Sequence, residues 1–171
     1  IDAFRKRSLN PEHPVQKGTA QNPDIYFQNR EACNGYYNAV PQIVEEAMED
    51  VKAITGRAYK PYEYYGAEDA KSIIVIMGSG AEAVSETVDY LIAKGGKYGV
   101  LKVRLFRPFA AQMFADAIPA SVKKIAVLDR VKECGSAGEP LYLDVVTALN
   151  ECGRKNITVT GGRYGLGSKE F

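Results

Sequence analysis

The chain has 171 residues, enough for one domain with its own apolar core, and a formal net charge of +1. Because acidic and basic residues almost balance, the charge does not favour nucleic acid or an anionic membrane as a partner. The apolar runs are too short to span a bilayer, and the first ten residues lack the apolar centre of a signal peptide. We therefore expect a soluble cytoplasmic protein.

The content of cysteine and histidine argues against a metal centre held by this chain alone. Cys33, Cys134 and Cys152 are odd in number and far apart, which favours reduced thiols over a disulfide framework. His13 is the single histidine, so a zinc site or an iron–sulfur cluster lacks ligands. Since the chain starts at Ile1 instead of Met, we expect it to be part of a longer protein.

The first 34 residues show no regular spacing of apolar positions. The segment from Ile1 to Asn34 is rich in Asn, Gln and Pro, so we predict an irregular arm that crosses to another domain or subunit. A disordered tail is the alternative. The cluster of Ile25, Tyr26 and Phe27 counts against that alternative, because it is more apolar than disordered segments usually are.

An amphipathic helix follows the arm. Apolar residues recur at intervals of three and four from Val40 to Ile54, and Gly56 ends the pattern. Pro41 is harmless if the helix begins near Asn38, because it then falls in the first turn. A start at Asn34 instead predicts a kink at this proline.

A tyrosine-rich connector joins this helix to the rest of the chain. Four tyrosines stand within residues 57–67. Clustered tyrosines in a connector fit either packing against a partner surface or a small satellite core, and the sequence leaves both interpretations open.

The most informative stretch is a strand, a tight turn and a helix. The run from Ile73 to Met77 has no polar alternation and predicts a strand covered on both faces, with Ile73 to Ile76 all buried. Gly78 and Gly80 then permit a sharp reversal of the chain. From Ala81 the apolar residues follow a helical spacing, which Gly95-Gly96 ends.

The same kind of unit recurs along the chain. Three more strands are predicted at 99–105, 123–129 and 156–160, and two more helices at 111–118 and 140–151. The alternation of strands and helices predicts an open α/β layer with right-handed connections.

The turn from Gly78 to Gly80 has two interpretations. A dinucleotide-binding fold places its phosphate loop between a strand and a helix in this way. However, Ala83 stands at the third glycine position, no acidic residue ends the next strand, and Glu82 would repel an anion. A plain turn is favoured, and a stand-alone small-molecule or nucleotide-binding α/β domain is the alternative function. No Ser-His-Asp, Cys-His or paired-carboxylate set can be assembled, so no catalytic residue is predicted.

Three arginines fall at or just beyond the carboxyl ends of predicted strands. Arg104, Arg107 and Arg130 thus lie at the sheet edge where ligands and partners usually bind, and can clamp a carboxylate or phosphate. The interpretation that we favour is a set of salt bridges with a neighbouring domain or with nearby acids. Those acids are Glu133, Glu139 and Asp129. The candidate domain-interface residues are Arg104, Arg107, Arg130 and Glu139.

Longer strings are more specific than these patterns. They are GTAQNPDIYFQNREACN at 18–34, VRLFRPF at 103–109, AVLDR at 126–130, GEPLYLDVV at 138–146 and GGRYGLGSKEF at 161–171. In this order they closely resemble pyruvate:ferredoxin (flavodoxin) oxidoreductase. The resemblance covers essentially the whole chain.

The resemblance implies a domain organisation and a fold. Residues 69–171 resemble a transketolase C-terminal-like domain, and residues 1–68 form the arm, helix and connector that follow the pyrimidine-binding domain. That fold is a three-layer αβα arrangement around an open, mostly parallel sheet of five strands, one of them antiparallel. A fifth strand is therefore expected before Lys71 or after Gly162.

The resemblance also implies an activity for the parent enzyme. The family decarboxylates pyruvate on thiamine diphosphate with magnesium, passes electrons through [4Fe-4S] clusters to ferredoxin or flavodoxin, and transfers the acetyl group to coenzyme A. The Gly-Asp-Gly motif and the cluster cysteines are absent from this stretch. We therefore expect this chain to bind no cofactor by itself, to be inactive alone, and to serve assembly. The expected partners are the remaining domains of a homodimeric parent, with neither nucleic acid nor a membrane.

Overall fold

The computed structural model describes residues 1–14, 18 and 20–167, and the chain divides into two units at residues 36 and 37. The first unit contains the helices α1 (Asp2–Arg5) and α2 (Pro23–Ala32). A proline at its first position and Asp24 in its first turn favour the start of α2. The predicted irregular arm is therefore wrong for 2–5 and for 23–32. It was missed because α2 has no buried face to impose a periodic pattern. Residues 15–17 and 19 of the predicted arm lie outside the described residues.

A long helix, α3 (Asn34–Thr55), precedes the sheet, and Gly56 follows it with φ +74°. Of the two starts that the sequence left open, Asn34 is the observed one, so Pro41 lies inside the helix. The first turns contain no regular apolar spacing, which is why the pattern began only at Val40. None of the residues of α3 is buried. In the described part of the chain, neither α3 nor another helix is long and apolar enough to cross a membrane.

Five strands form one open sheet in the order β1-β3-β2-β4-β5. The strands are β1 (Tyr62–Gly66), β2 (Ser72–Met77), β3 (Tyr98–Val103), β4 (Lys124–Asp129) and β5 (Thr158–Arg163). The helices between them are α4 (Gly80–Ala93), α5 (Ala111–Asp116) and α6 (Pro140–Glu151). β1 pairs antiparallel with β3, and the other neighbours pair in parallel. The predicted mostly parallel α/β sheet of five strands is confirmed.

The fifth strand, β1, lies inside the stretch that the sequence presented as a connector. Tyr62 is buried there, and its ring packs edge-on against Phe109 and Phe114 with centroids 5.5 and 5.7 Å away. This tyrosine therefore belongs to the main core and not to a satellite core or a partner surface. The sheet begins before residue 69, so the predicted boundary at that residue falls within one sheet.

The last strand differs most from its prediction. β5 was expected at 156–160 and is observed at Thr158–Arg163. Gly161-Gly162 looks like a stop signal in the sequence. Pairing with β4, which runs in register to Asp129 and Arg163, carries the strand through both glycines.

The sheet has two unequal faces. On the closed face, α5 and α6 pack over alternate residues such as Val75 and Val127. On the open face, α4 packs over Ile76 and Val100, on the half of the sheet that holds β1, β3 and β2. The order of the strands explains this, because right-handed crossovers that run in opposite directions along a sheet place their helices on opposite faces.

The central strand β2 shows the consequence of unequal covering. Ile73, Val75 and Ile76 are at most 3% exposed. Ile74 is only half-buried, so the prediction that all four residues are buried is wrong for this one. Its side chain faces the open face beside α4, where no second described helix covers the sheet.

Candidate functional site at the carboxyl edge of the sheet

The parallel strands β2, β3 and β4 end at one edge of the sheet, which we call the carboxyl edge. Ile76 lies opposite Lys102 in one direction and Leu128 in the other. This register brings the turn after β2, Arg104 after β3 and Arg130 after β4 to the same edge. Open α/β sheets usually bind ligands and partners at this position.

Arg104 is held by the neighbouring strand β1. Its guanidinium forms a salt bridge with Glu63, and its Cζ lies 5.1 Å from the centroid of the Tyr59 ring. Its backbone N–H donates to the carbonyl of Pro61 at 2.8 Å. The acid partner was not among those that the sequence suggested, because β1 was not recognised as a strand.

Arg107 extends from the loop after β3 toward α6. Its Nη1 lies 2.5 Å from Oδ2 of Asp144, and its Cζ lies 3.9 Å from the centroid of the Phe106 ring. The side chain of Arg107 is nonetheless 55% exposed. More than half of this side chain therefore stays within reach of another molecule.

The chain after β5 folds back over the carboxyl edge. The N–H of Tyr164 donates to the carbonyl of Asp129 at 3.1 Å, and Nε of Arg130 donates to the carbonyl of Gly165 at 3.0 Å. Gly165 has φ +60°, and a Cβ at this position would lie 2.8 Å from Nε of Arg130. The positive φ favours glycine at this position, and the close approach of the Arg130 side chain adds to that preference.

The structure of this chain explains why glycine stands at both positions of the turn after β2. Gly78 has φ +80°, a conformation that favours glycine. Gly80 begins α4 beneath the ring of Tyr164, and a Cβ there would lie 2.8 Å from the Tyr164 hydroxyl. That hydroxyl donates to the carbonyl of Met77 at 3.3 Å. The second glycine is thus explained by packing against Tyr164.

A groove of about 460 Å³ lies between this turn and the end of β3. Nζ of Lys102 lies 3.1 Å from Oε1 of Glu82, and the side chain of Lys102 is largely buried. Glu82 is exposed in the first turn of α4, where a phosphate bound at the helix N-terminus would have to lie. The geometry gives no support to the nucleotide-binding interpretation.

A buried carboxylate that the sequence suggested as a salt-bridge partner of the arginines instead joins β4 to α6. Asp129 ends β4, is fully buried, and accepts the N–H groups of Leu141 at 2.9 Å and Tyr142 at 3.1 Å. Burial raises the pKa of Asp129, against the opposite effect of these two hydrogen bonds. The available signal was an aspartate at the end of an apolar strand, ahead of a helix that begins with Pro140.

Glu139 precedes α6 and is 4% exposed. Its carboxylate accepts a hydrogen bond from Nε of Arg163 on β5 and another from the N–H of Glu133 at 2.7 Å. The Arg163 guanidinium is the main reason that the pKa of Glu139 is lowered, and the Glu133 N–H adds to the effect. Its charge is therefore used to join α6 and β5 inside this chain.

The possible metal ligands are dispersed. Cys33 follows α2, Cys134 lies in the loop before α6, and Cys152 follows α6; all three are free thiols. Within residues 1–14, 18 and 20–167, no three His, Cys, Asp or Glu side chains come together as a metal site.

Comparison with known proteins identifies the family of the chain, which the geometry of the site does not. Residues 70–169 match the family model of pyruvate:ferredoxin oxidoreductase core domain II. The chain is 65% identical over 171 residues to the pyruvate:ferredoxin oxidoreductase of Moorella thermoacetica, covering 100% of this chain and 14% of the relative. It is 57% identical over 176 residues to a probable pyruvate-flavodoxin oxidoreductase of Escherichia coli, covering 100% of this chain and 15% of the relative.

One solved structure shares the fold. It is a 2-oxoglutarate:ferredoxin oxidoreductase from Magnetococcus marinus with 2-oxoglutarate, coenzyme A and succinyl-CoA bound. The TM-score is 0.51 at 21% identity, over 90% of this chain and 22% of that chain, so the likeness shows the fold alone. The present chain spans 14–15% of the length of the two curated relatives. On the family match and these identities, the chain belongs to the pyruvate:ferredoxin oxidoreductase core domain II family.

Proposed function

We propose that this chain acts as core domain II within a longer pyruvate:ferredoxin or pyruvate-flavodoxin oxidoreductase. Such an enzyme converts pyruvate and coenzyme A into acetyl-CoA and carbon dioxide and passes two electrons to ferredoxin or flavodoxin. The observation that carries the proposal is the extent of the similarity, which includes residues 1–69 as well as the part that matches the family model. The fold by itself would not carry it, because one fold serves many functions.

Within that enzyme we assign the chain a structural role. The whole enzyme would use thiamine diphosphate, magnesium and [4Fe-4S] clusters. A cluster needs several thiolates at one place, whereas Cys33 follows α2 and the other two cysteines lie at opposite ends of α6. The described residues also bring together no set of three acids for a magnesium–diphosphate site. The residues do not fit these cofactors, so no reaction step is assigned to them.

The carboxyl edge is the surface by which this chain would contact the other domains. Arg107 supports this role because its side chain is 55% exposed although it pairs with Asp144. A guanidinium has five N–H donors in a planar fork, so it can bind one carboxylate inside the chain and another in a neighbouring domain. Arg104 and Arg130 lie at the same edge. Glu139 would contribute indirectly, since it is buried and positions Arg163.

The partners of the chain would then be the remaining domains of its own enzyme. We further propose that this enzyme is a cytoplasmic homodimer that acts on pyruvate, coenzyme A and a small electron carrier.

The test is an assay of two proteins side by side: this 171-residue chain and the full-length product of its reading frame. Each is given pyruvate, coenzyme A, thiamine diphosphate and magnesium, with ferredoxin and flavodoxin offered separately, and acetyl-CoA and reduced acceptor are measured. We expect turnover from the full-length protein and none from the 171-residue chain. Turnover by the isolated chain would overturn its structural role. A cofactor-loaded full-length protein that makes no acetyl-CoA from pyruvate would overturn the proposed enzyme.

A further inference from the structure

The neighbouring strands β2 and β4 end side by side at the carboxyl edge. They pair in register as far as Ile76 and Leu128. The chain then leaves β2 toward α4 on the open face, and it leaves β4 toward α6 on the closed face. In open α/β sheets, two adjacent strands whose connections part in this way leave a crevice outside their carboxyl ends, and small ligands bind there. We call this place the crevice.

The residues that follow β5, 164–167, lead from that strand to the crevice, and we call them the strap. The N–H of Tyr164 donates to the carbonyl of Asp129, which is the last residue of β4. The hydroxyl of Tyr164 donates to the carbonyl of Met77, which is the last residue of β2. Nε of Arg130 donates to the carbonyl of Gly165. Hydrogen bonds therefore tie the strap to both strands that border the crevice.

The ring of Tyr164 lies at the start of α4. A Cβ added to Gly80, the first residue of that helix, would lie 2.9 Å from Cε2 of the ring. The ring is half-buried and packs against the apolar cluster that contains Ile76, Ala81 and Leu128. Nucleotide-binding sheets place a phosphate at the start of such a helix. In this chain an aromatic side chain takes that position.

We infer that the strap is a built-in occupant of the crevice, with Tyr164 in the place where other open α/β sheets bind a small ligand. The crevice offers what a phenol needs, namely apolar contacts for the ring and the carbonyl of Met77 as acceptor for the hydroxyl. Because the occupant is part of the same chain, its effective concentration is high and it closes the crevice to free ligands. The inference rests on contacts within this chain and is independent of the proposed enzyme.

The first test removes the ring and offers it back as a separate molecule. Tyr164→Ala should bind p-cresol, the tyrosine side chain without its backbone, because spaces left by truncation can bind small aromatic molecules. Saturation-transfer NMR and the rise of Tm measure this binding, with p-cresol from about 0.1 to 10 mM, a range that suits a ligand of so few atoms. The wild-type chain should show neither effect. Tyr164→Phe keeps the ring and should behave like wild type, and so should Tyr90→Ala, which removes an exposed ring of α4.

The second test displaces the ring without removing it. Gly80→Ala puts a methyl group against the ring, so the N–H of Tyr164, which donates to Asp129, should exchange with solvent faster. We expect an increase of at least about tenfold relative to the N–H of Val127 in β4, a reference that accounts for any change in overall stability. Gly35→Ala, where nothing lies within 4 Å of the added Cβ, is the matched control and should leave this ratio unchanged.

Three results would overturn the inference. The first is a wild-type chain that binds p-cresol as well as Tyr164→Ala does, which would mean that the strap leaves the crevice open. The second is a Tyr164→Ala chain that neither binds p-cresol nor, if it is unfolded, folds in its presence, because the ring then fills no site for a phenol. The third is an unchanged exchange of the Tyr164 N–H in Gly80→Ala. A Tyr164→Ala chain that folds only with p-cresol would support the inference.

Discussion

The two faces of the sheet share the same strands and differ in what covers them. On the closed face, α5 and α6 bury Val75 and Val127 completely. On the open face, α4 covers one half of the sheet, Tyr164 covers Gly80 at the carboxyl end, and Ile74 remains half-buried. A continuous apolar run in a strand therefore indicates that both faces are suited to burial. Such a run does not show which helices pack on each of the two faces.

The largest expected effect separates two adjacent isoleucines of β2. Ile73→Ala on the closed face should lower the free energy of unfolding by roughly 2–5 kcal/mol, because it leaves a cavity in a packed core. Ile74→Ala on the open face should cost about half of that or less, since its side chain has less apolar area to lose. Urea unfolding of both variants at low protein concentration provides the measurement. Equal losses would contradict the unequal covering of the two faces.

A second prediction concerns the part of the open face that Tyr164 covers. Gly80→Ala should destabilise the chain by about 1–3 kcal/mol, because the added methyl group overlaps the Tyr164 ring. Gly35→Ala in α3 is the matched control, since no atom lies within 4 Å of its Cβ position. It should be neutral or stabilising by up to about 1 kcal/mol.

The same contact can be tested by a double-mutant cycle. If Tyr164 is the reason for the glycine, Gly80→Ala should cost much less in a Tyr164→Ala background. Thermal unfolding of the four proteins measures this coupling. An undiminished cost in that background would show that another contact selects glycine at position 80.

The third prediction is that the stability contributed by the Glu139–Arg163 salt bridge between α6 and β5 depends on pH. The pKa of Glu139 is lowered from 4.5, first by Arg163, so the unfolded chain binds the proton more tightly than the folded chain. The stability from this group is complete above that ordinary value and is lost as the pH falls through the lowered pKa. The difference in unfolding free energy between wild type and Glu139→Gln should therefore shrink on acidification.

Urea unfolding at several pH values between about 7 and 3 measures this difference. The raised pKa of Asp129 acts in the opposite direction and is present in both proteins. Its main cause, burial, is common to both, while the smaller part that comes from the charge of Glu139 is lost in Glu139→Gln. A difference that stays constant with pH would show that the ionisation of Glu139 does not contribute to stability.

The smallest effect on this chain is expected at Arg107. Its pair with Asp144 is largely exposed on the arginine side, so Arg107→Ala should change the stability of the isolated chain by less than about 1 kcal/mol. In the full-length protein the same change should reduce turnover by weakening domain docking. Arg57→Ala, at another exposed arginine, is the control. A large loss of stability in the isolated chain would make Arg107 a structural residue. Unchanged turnover would remove its docking role.

The sequence determined those features whose signals are local. Pro140 at the first position and Gly153 just past the end predicted the bounds of α6, and apolar runs located β2, β3 and β4 within a few residues. The longer strings identified the family, because many side chains in a fixed order are more specific than any single motif. The gathering of Arg104 and Arg130 at one edge followed from the rule that parallel strands end together.

The tertiary structure alone decided which groups meet. β1 is a strand because β3 pairs with it, and that pairing brings Glu63 to Arg104, 41 residues away. Asp144 reaches Arg107 only because α6 packs on the closed face, and Tyr164 reaches Gly80 only because β5 ends beside β4. The half of the open face that no described helix covers has the same origin. Strand order and crossover direction set it, and these depend on contacts between distant residues that no local pattern encodes.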